Sequence, residues 1–269
     1  MTKGSIVISA ILGEKGRGAD GDLMVWRSTD GGKQWSEGRA INDVAGAARE
    51  GLHSMASGGG ETIFATWLDL RGKGTKIYGS LSLDGGVTWS RNRVVYESPS
   101  GSVCECCHPS AFVDHRGGIY VMFRNAMDGN RDMYLVRSKD GGLQFGLAEK
   151  LGTGNWFLNA CPMDGGSFTV KQDGGVVAAW RREGDLYLTS AGHAERRIAT
   201  GRQPVVAAND KDTWIAWTEG KAIRWMNSER GAIHTMGGEA AFLSLAVLPS
   251  GKALVAGERN GRIFVEELK

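Results

Sequence analysis

One eight-residue phrase occurs three times in this chain: STDGGKQW at 28–35, SLDGGVTW at 82–89 and SKDGGLQF at 138–145. Its aspartates, Asp30, Asp84 and Asp140, recur at spacings of 54 and 56 residues. Each phrase begins where an alternating run ends (LMVWRS, IYGSLS, MYLVRS), and another short apolar segment follows, which is the pattern of a hairpin. The chemistry suits a turn. Aspartate accepts hydrogen bonds from backbone N–H groups, paired glycines permit positive φ, and the closing Trp or Phe is expected to pack beneath. A calcium loop needs a run of oxygen ligands that these phrases lack, so they are read as folding devices.

Composition agrees. Glycine supplies 41 of 269 residues, about twice the usual ~7%, and is spread along the chain rather than massed in a linker. With 5 prolines and 41% apolar residues, this describes many tight turns between short strands. Lysine plus arginine total 32 against 30 aspartates plus glutamates, a balance with no electrostatic footprint for nucleic acid or an anionic membrane. The apolar runs IVISAIL (6–12) and AAFLSLAVL (240–248) fall far short of the ~20 residues a spanning helix needs, so no membrane span is expected. GEKGRGADGD follows the first run without a small-residue cleavage site, and that run is read as a strand rather than a signal peptide.

The phrase S-x-D-G-G-x-x-W/F resembles the Asp box, or BNR repeat, of sialidase-like β-propellers. The motif covers residues 22–151 directly, and strand rhythm extends it to the rest. The resemblance implies an all-β fold, a single domain over 1–269 forming a six-bladed β-propeller. Each blade would be a four-stranded antiparallel sheet with the box between its third and fourth strands. Blade two would use 53–57, 62–68, 76–82 and 93–96, and blade three 109–114, 118–124, 132–138 and 147–151. Blades four, five and six would begin at SFTV, PVVA and FLSL. Blade one offers only about three strands (6–12, 22–28, 38–41), and the chain ends after the third strand of blade six. Either the ring closes with thin blades or upstream residues belong to the natural protein. The resemblance also favours an extracytoplasmic location, periplasmic or secreted.

On that plan the loops leading into the first strands of blades two, three and four open on the face away from the boxes. They carry EGLHS, CECCHP and NACPMDGG, which brings His53, Cys104, Cys106, Cys107, His108 and Cys161 from distant sequence into one neighbourhood. If 104–108 is extended, period-two alternation sends Cys104, Cys106 and His108 one way and Glu105 and Cys107 the other, and Pro109 favours an extended His108. Three readings stand side by side. One is a disulfide, Cys104 or Cys107 with Cys161, in which case no cofactor is needed. Another is a set of packed thiols. The third is a metal site: thiolates select Cu(I) or Zn²⁺, and imidazole suits either. Structural zinc favours C-x₂₋₄-C pairs on tight knuckles, so the C-x-C-C-H run, with Met55 and Met163 as further sulfur ligands, leans towards copper, with zinc the alternative. His115, His193 and His234 are read as ordinary surface residues.

The loops joining second and third strands open on the same face and carry Arg71, Arg124, Arg181 or Arg182 and Arg259, mixed with Asp69, Asp128, Glu183, Glu219 and Glu258. Sialidases clamp a sugar carboxylate with three arginines and use an Asp acid/base and a Glu-assisted tyrosine. The resemblance therefore nominates Asp69, Arg71, Arg124, Asp128 and Arg181 as a catalytic set and a small anionic or carbohydrate ligand as partner. The match is poor: no F/Y-R-I-P segment occurs, and none of Tyr78, Tyr96, Tyr120, Tyr134 and Tyr187 is expected on a loop at the axis. The reading placed first is a sialidase-like propeller with a Cys/His copper site serving binding or redox chemistry. The alternatives are a glycoside hydrolase with structural cysteines and a protein-interaction scaffold.

Overall fold

The computed structural model describes residues 4–13, 21–190 and 193–269; the segment 14–20, which holds most of GEKGRGADGD, lies outside the described residues. Among the described residues every regular element is a strand, and the chain divides into two compact units. The first comprises residues 1–150 and 157–163, the second 151–156 and 164–269.

The first unit holds β1 (Ile6–Gly13), β2 (Gly21–Ser28), β3 (Arg39–Ala40), β4 (Ala48–Ser57), β5 (Ile63–Asp69), β6 (Lys76–Ser82), β7 (Arg93–Tyr96), β8 (Ser110–Val113), β9 (Ile119–Arg124), β10 (Met133–Ser138) and β11 (Glu149–Lys150). They form three antiparallel meanders, β1-β2-β3, β4-β5-β6-β7 and β8-β9-β10-β11, the first two joined through the single pair Gly21↔Ala48. Strand limits expected from the repeats fall within a few residues of those observed, except that β4 begins at Ala48. The buried strand β5, IFATWLD, is covered along its whole length. Its polar residues are satisfied internally: Thr66 Oγ1 donates to the Tyr78 carbonyl at 2.8 Å, and Trp67 Nε1 donates to Asp69 at 2.8 Å.

Three identical turns end β2, β6 and β10. In each, the serine hydroxyl donates to the aspartate (2.8, 2.8 and 2.7 Å) and accepts from the second glycine N–H (2.9, 2.8 and 2.9 Å). Asp30 also accepts from the Lys33 and Gln34 N–H groups, Asp84 from Thr88, and Asp140 from Leu143 and Gln144. Both glycines of each box have positive φ, from 69° to 89°. These bonds hold all three carboxyls below the usual range, Asp84 at about 2, chiefly through the Thr88 hydroxyl. Phe145 packs on Phe64, with ring centroids 6.1 Å apart, and Trp89 joins a core. Trp35 departs from the expectation: it is 40% exposed, and its indole N–H donates to Gly32 within its own turn.

The second unit holds β12 (Ser167–Val170), β13 (Val176–Arg182), β14 (Asp185–Ser190), β15 (Arg196–Thr200), β16 (Arg202–Ala208), β17 (Thr213–Glu219), β18 (Ala222–Asn227), β19 (Ile233–Met236), β20 (Ala241–Val247), β21 (Ala253–Arg259) and β22 (Arg262–Leu268). They form the meanders β12-β13-β14-β15, β16-β17-β18-β19 and β20-β21-β22. VVAAW in β13 and WIAW in β17 are continuous buried runs whose residues pack between sheets with Leu186, Leu188 and Ile223. No helix among the described residues is long and apolar enough to cross a membrane.

Candidate metal centre

Within the first unit, the cysteine run sits at one end of the sheet β8–β11 and the third box at the other. Ser138, where the box begins, pairs with Ile119 at the start of β9, whereas the Cys104 N–H donates to the carbonyl of Arg124 at its end. The approach to Cys104 is pinned on both sides. The Val103 N–H donates to the Thr75 carbonyl at 3.0 Å, and Val103 forms a bridge with Asn125. The Val103 side chain is buried in a core with Phe64, Leu68, Ile77 and Phe123, which stabilises this anchor by roughly 1.5–3 kcal/mol.

Residues 105–107 then turn rather than extend. This corrects the alternating arrangement: the turn gathers Cys104, Cys106 and Cys107 on one side instead of dividing them. Their sulfurs lie within 4.8 Å of one another, with Cys104 Sγ 3.8 Å from Cys106 Sγ and 3.6 Å from Cys107 Sγ. Ser102 Oγ closes the turn by donating to Glu105 Oε1 at 2.9 Å. Cys104 and Cys107 are each 2% exposed, Cys106 is half-buried, and Cys161 is exposed. All four are thiols in this structure. The turn also shows that Cys104 and Cys107 are a C-x₂-C pair, so spacing no longer separates copper from zinc.

Cys161, on the segment 157–163, is exposed and stands outside the three sulfurs that lie within 4.8 Å of one another. The segment 157–163 is anchored where Phe157 bridges Asn130 and the Leu158 N–H donates to the Gly129 carbonyl at 3.0 Å. Gly129 has φ 77°, and a Cβ there would stand 2.4 Å from the Phe157 ring. Only glycine permits this approach. The sequence reading did not find this strap; the Asp-Gly-Asn turn of RNAMDGNRD was its visible signal.

The electrostatics follow from sulfur meeting sulfur. The Cys104 thiol is pushed far up, by contact with Cys106, then by Cys107, then by burial. The Cys161 thiol is raised mainly by Cys106, while the guanidinium groups of Arg131 and Arg49 pull the other way. Neither arginine was singled out from sequence. His53, on β4, shares a hydrogen bond between its Nε2 and Ser9 Oγ at 3.1 Å, and its buried Nδ1 has no hydrogen-bond partner among the described residues. Burial lowers its pKa, Ser9 opposes that, and nearby His108 lowers it further. Among the described residues the group that shares the 4.8 Å neighbourhood consists of the three sulfurs.

The arginine and aspartate candidates are engaged internally. Asp69 is 1% exposed and binds Arg71 through Nε at 2.8 Å and Nη2 at 2.9 Å, while Arg71 also reaches Asp43 at 2.6 Å and lies over Tyr78. Arg124 is buried, with Nη1 donating to the Arg131 carbonyl at 2.5 Å. Asp128 occupies an exposed turn at φ 50°. Arg181, in the second unit, donates to Asp164 at 3.0 Å and lies over Trp156. All five tyrosines lie in strands.

Consecutive antiparallel meanders, boxed in the first unit and unboxed in the second, define an all-β protein of the sialidase-like propeller class. The sequence model of the BNR repeat-like domain matches residues 1–227, and the chain belongs to that family. Its fold is similar to that of a Penicillium chrysogenum α-L-arabinanase complexed with arabinobiose (14% identity, TM-score 0.63, 100% of this chain and 98% of that one). It is also similar to the K499G mutant of NanB sialidase from Streptococcus pneumoniae (11% identity, TM-score 0.60, 95% and 63%) and to the Hadza microbial sialidase Hz136 (14%, TM-score 0.58, 99% and 63%). The chain therefore spans 63% of the length of these two sialidases. No curated protein sequence matches it.

Proposed function

We propose that this protein is a metal-binding propeller whose Cys104–Cys106–Cys107 cluster holds one thiophilic ion, copper(I) in preference to zinc. The observation that carries the reading is the spacing of the sulfurs. Ligation at ~2.3 Å, trigonal or tetrahedral, separates sulfur ligands by about 3.8–4.0 Å, and Cys104 lies 3.8 and 3.6 Å from its two neighbours. Three thiolates so close repel one another strongly in a partly buried site, so without a cation they remain protonated. A bound cation replaces the protons and offsets that repulsion.

Copper is favoured because three sulfurs satisfy Cu(I), whereas structural zinc takes four ligands. Cys161, one contact further out, is the natural fourth ligand for zinc, with His108 or His53 as imidazole alternatives. Titrating reduced, metal-free protein with Cu(I) against a competing chelator, and separately with Zn²⁺, tests this. One equivalent of Cu(I) is expected to bind, to be lost in Cys106→Ser and to persist in Cys161→Ser. Copper binding unchanged in Cys106→Ser would overturn the assignment. Little hydrolysis of ordinary sialosides is expected, because Asp69 and Arg71 are spent on each other and on Asp43. Turnover of a fluorogenic sialoside that is lost in Arg124→Ala yet survives Cys106→Ser would favour the glycosidase reading instead.

A further inference from the structure

Five of the six meanders end in a short outer strand: β3, β7, β11, β15 and β19 hold 2, 4, 2, 5 and 4 residues. The sixth ends differently. Its outer strand β22, RIFVEEL, runs for 7 residues in unbroken register with β21, from Arg259↔Arg262 to Ala253↔Leu268, and contains no proline, lysine or bulge. On its other side it pairs with no strand among the described residues. Short length, prolines, lysines and bulges are the usual protections of a sheet edge against pairing with another chain, and β22 has none of them. Ile263 and Val265, which alternation puts on one face, are 78% and 63% exposed. The hairpin also fixes which backbone groups the edge offers. It turns through Asn260 and Gly261, both at positive φ (53° and 72°), the two-residue turn of type I′. In such a hairpin the closing pair, Arg259 and Arg262, exchanges both backbone hydrogen bonds, and bonded and unbonded pairs then alternate. The N–H and C=O groups of Ile263, Val265 and Glu267 therefore point outward.

We propose that β22 pairs antiparallel with β22 of a second copy of this chain, across a twofold axis, joining two three-stranded sheets into one. Such a pair must set outward-facing residues against each other, which leaves few registers. One of them is self-complementary. With Phe264 opposite Phe264 of the second copy, Ile263 meets Val265 and Val265 meets Ile263, so the exposed apolar residues of both copies cover one another. On the other face Arg262 stands opposite Glu266, and this charge pair occurs twice. Glu266 already holds Arg259 of its own sheet at 2.8 Å, and its second guanidinium would come from the partner. The neighbouring registers are worse. Centring on Val265 puts Ile263 against Glu267 and Phe264 against Glu266, while centring on Ile263 leaves Val265 opposite Gly261. Cross-strand apolar and opposite-charge pairs stabilise a sheet and misplaced ones do not, so the sequence of β22 selects the first register. The proposal is independent of the metal reading, since no cysteine lies in this sheet.

The test is sedimentation equilibrium of the full chain, in reductant so that surface thiols form no cross-links. A monomer–dimer equilibrium with a Kd on the order of 10 μM is expected, because a 7-residue edge is a small interface. Amide exchange at Ile263, Val265 and Glu267 should slow as the dimer forms. Val265→Lys places a charge beside the second copy's Ile263 and should remove the dimer. Arg262→Glu and Glu266→Arg each oppose like charges twice and should weaken it roughly tenfold or more. Mixed together, these two variants recover opposite charges at both places and should form a heterodimer tighter than either variant forms with itself. A folding defect cannot produce that rescue. A wild type that stays monomeric far above the expected Kd, a dimer unchanged by Val265→Lys, or a mixture of the charge variants that gains nothing would each overturn the proposal. So would slow exchange of the same three amides in dilute monomer, which would mean that a segment of the same chain already covers this edge.

Discussion

The two units build the same object, the antiparallel meander, with different turns. In the first, every final turn is a box in which one serine and one aspartate satisfy several backbone N–H groups at once. In the second, the turn after β14 relies on the His193 N–H to the Ser190 carbonyl and on Thr189 Oγ1 to the His193 carbonyl. The turn after β18 relies on Asn227, which accepts from the Glu229 N–H and donates to Asp212. The third sheet ends at β22, so among the described residues it has no such turn. All four cysteines lie in the first unit. Boxes tie down one end of those sheets, and the third sheet carries its thiols at the other end.

Metal should separate the units most sharply. At a hundredfold excess over its Kd, an ion bound only to the folded state adds about 2.7 kcal/mol, a rise in Tm of roughly 5–10 °C for a domain of this size. Hydrogen exchange should then slow around 103–107 and 157–163 and stay unchanged in β16–β19, and Cys106→Ser should abolish the whole effect. Equal protection in both units would break the comparison.

Gly129→Ala is expected to cost about 1–3 kcal/mol, because the new methyl meets Phe157 and the backbone has positive φ. Its specific sign is faster alkylation of Cys161, partly reversed by adding Phe157→Ala. Asp84→Ala should cost about 1–2 kcal/mol and Asp173→Ala less than about 1 kcal/mol, by chemical denaturation. Asp84 serves both the backbone and the hydroxyl of Thr88, whereas Asp173, in the second unit, accepts one bond, from the Gly175 N–H. Similar losses would mean that the boxes carry no special weight.

The smallest effect is on pH. Asp84 has a folded pKa of about 2 against an ordinary 3.8, so the unfolded chain takes up its proton first as pH falls. The stabilisation is complete above ~4 and is lost as pH drops towards ~2. Solvent exposure keeps this contribution small. Melts between pH 5 and 2 should show a shallower slope in Asp84→Asn than in the wild type.

Strands were legible wherever a box fixed a hairpin: Ser28, Ser82 and Ser138 end their strands where the repeats place them. The unboxed meanders were legible from continuous apolar runs such as VVAAW. The shape of the cysteine turn was not. Alternation assumes an extended backbone, and the bonds that bend this one, Val103 to Thr75 and Ser102 to Glu105, join it partly to a strand about 28 residues upstream. The close contact of Gly129 with Phe157 was invisible for the same reason, as was the spending of Asp69 on Arg71 and Trp67 and of Arg71 on Asp43.

The strap also sets a sequence of events in time. Cys107 leaves the ribosome 54 residues before Cys161, an interval of roughly 3–10 s at ordinary elongation rates. During that interval the nascent chain displays a C-x₂-C pair whose ends close a tiny loop almost instantly, while the fourth thiol has not yet been made. An oxidant met then would join Cys104 to Cys107 before the rest of the unit could fold over them. The order of synthesis thus opens these thiols to oxidation before the chain is complete, and an intact reduced cluster depends on keeping the young chain reduced, or occupied by metal, until residue 161 has arrived.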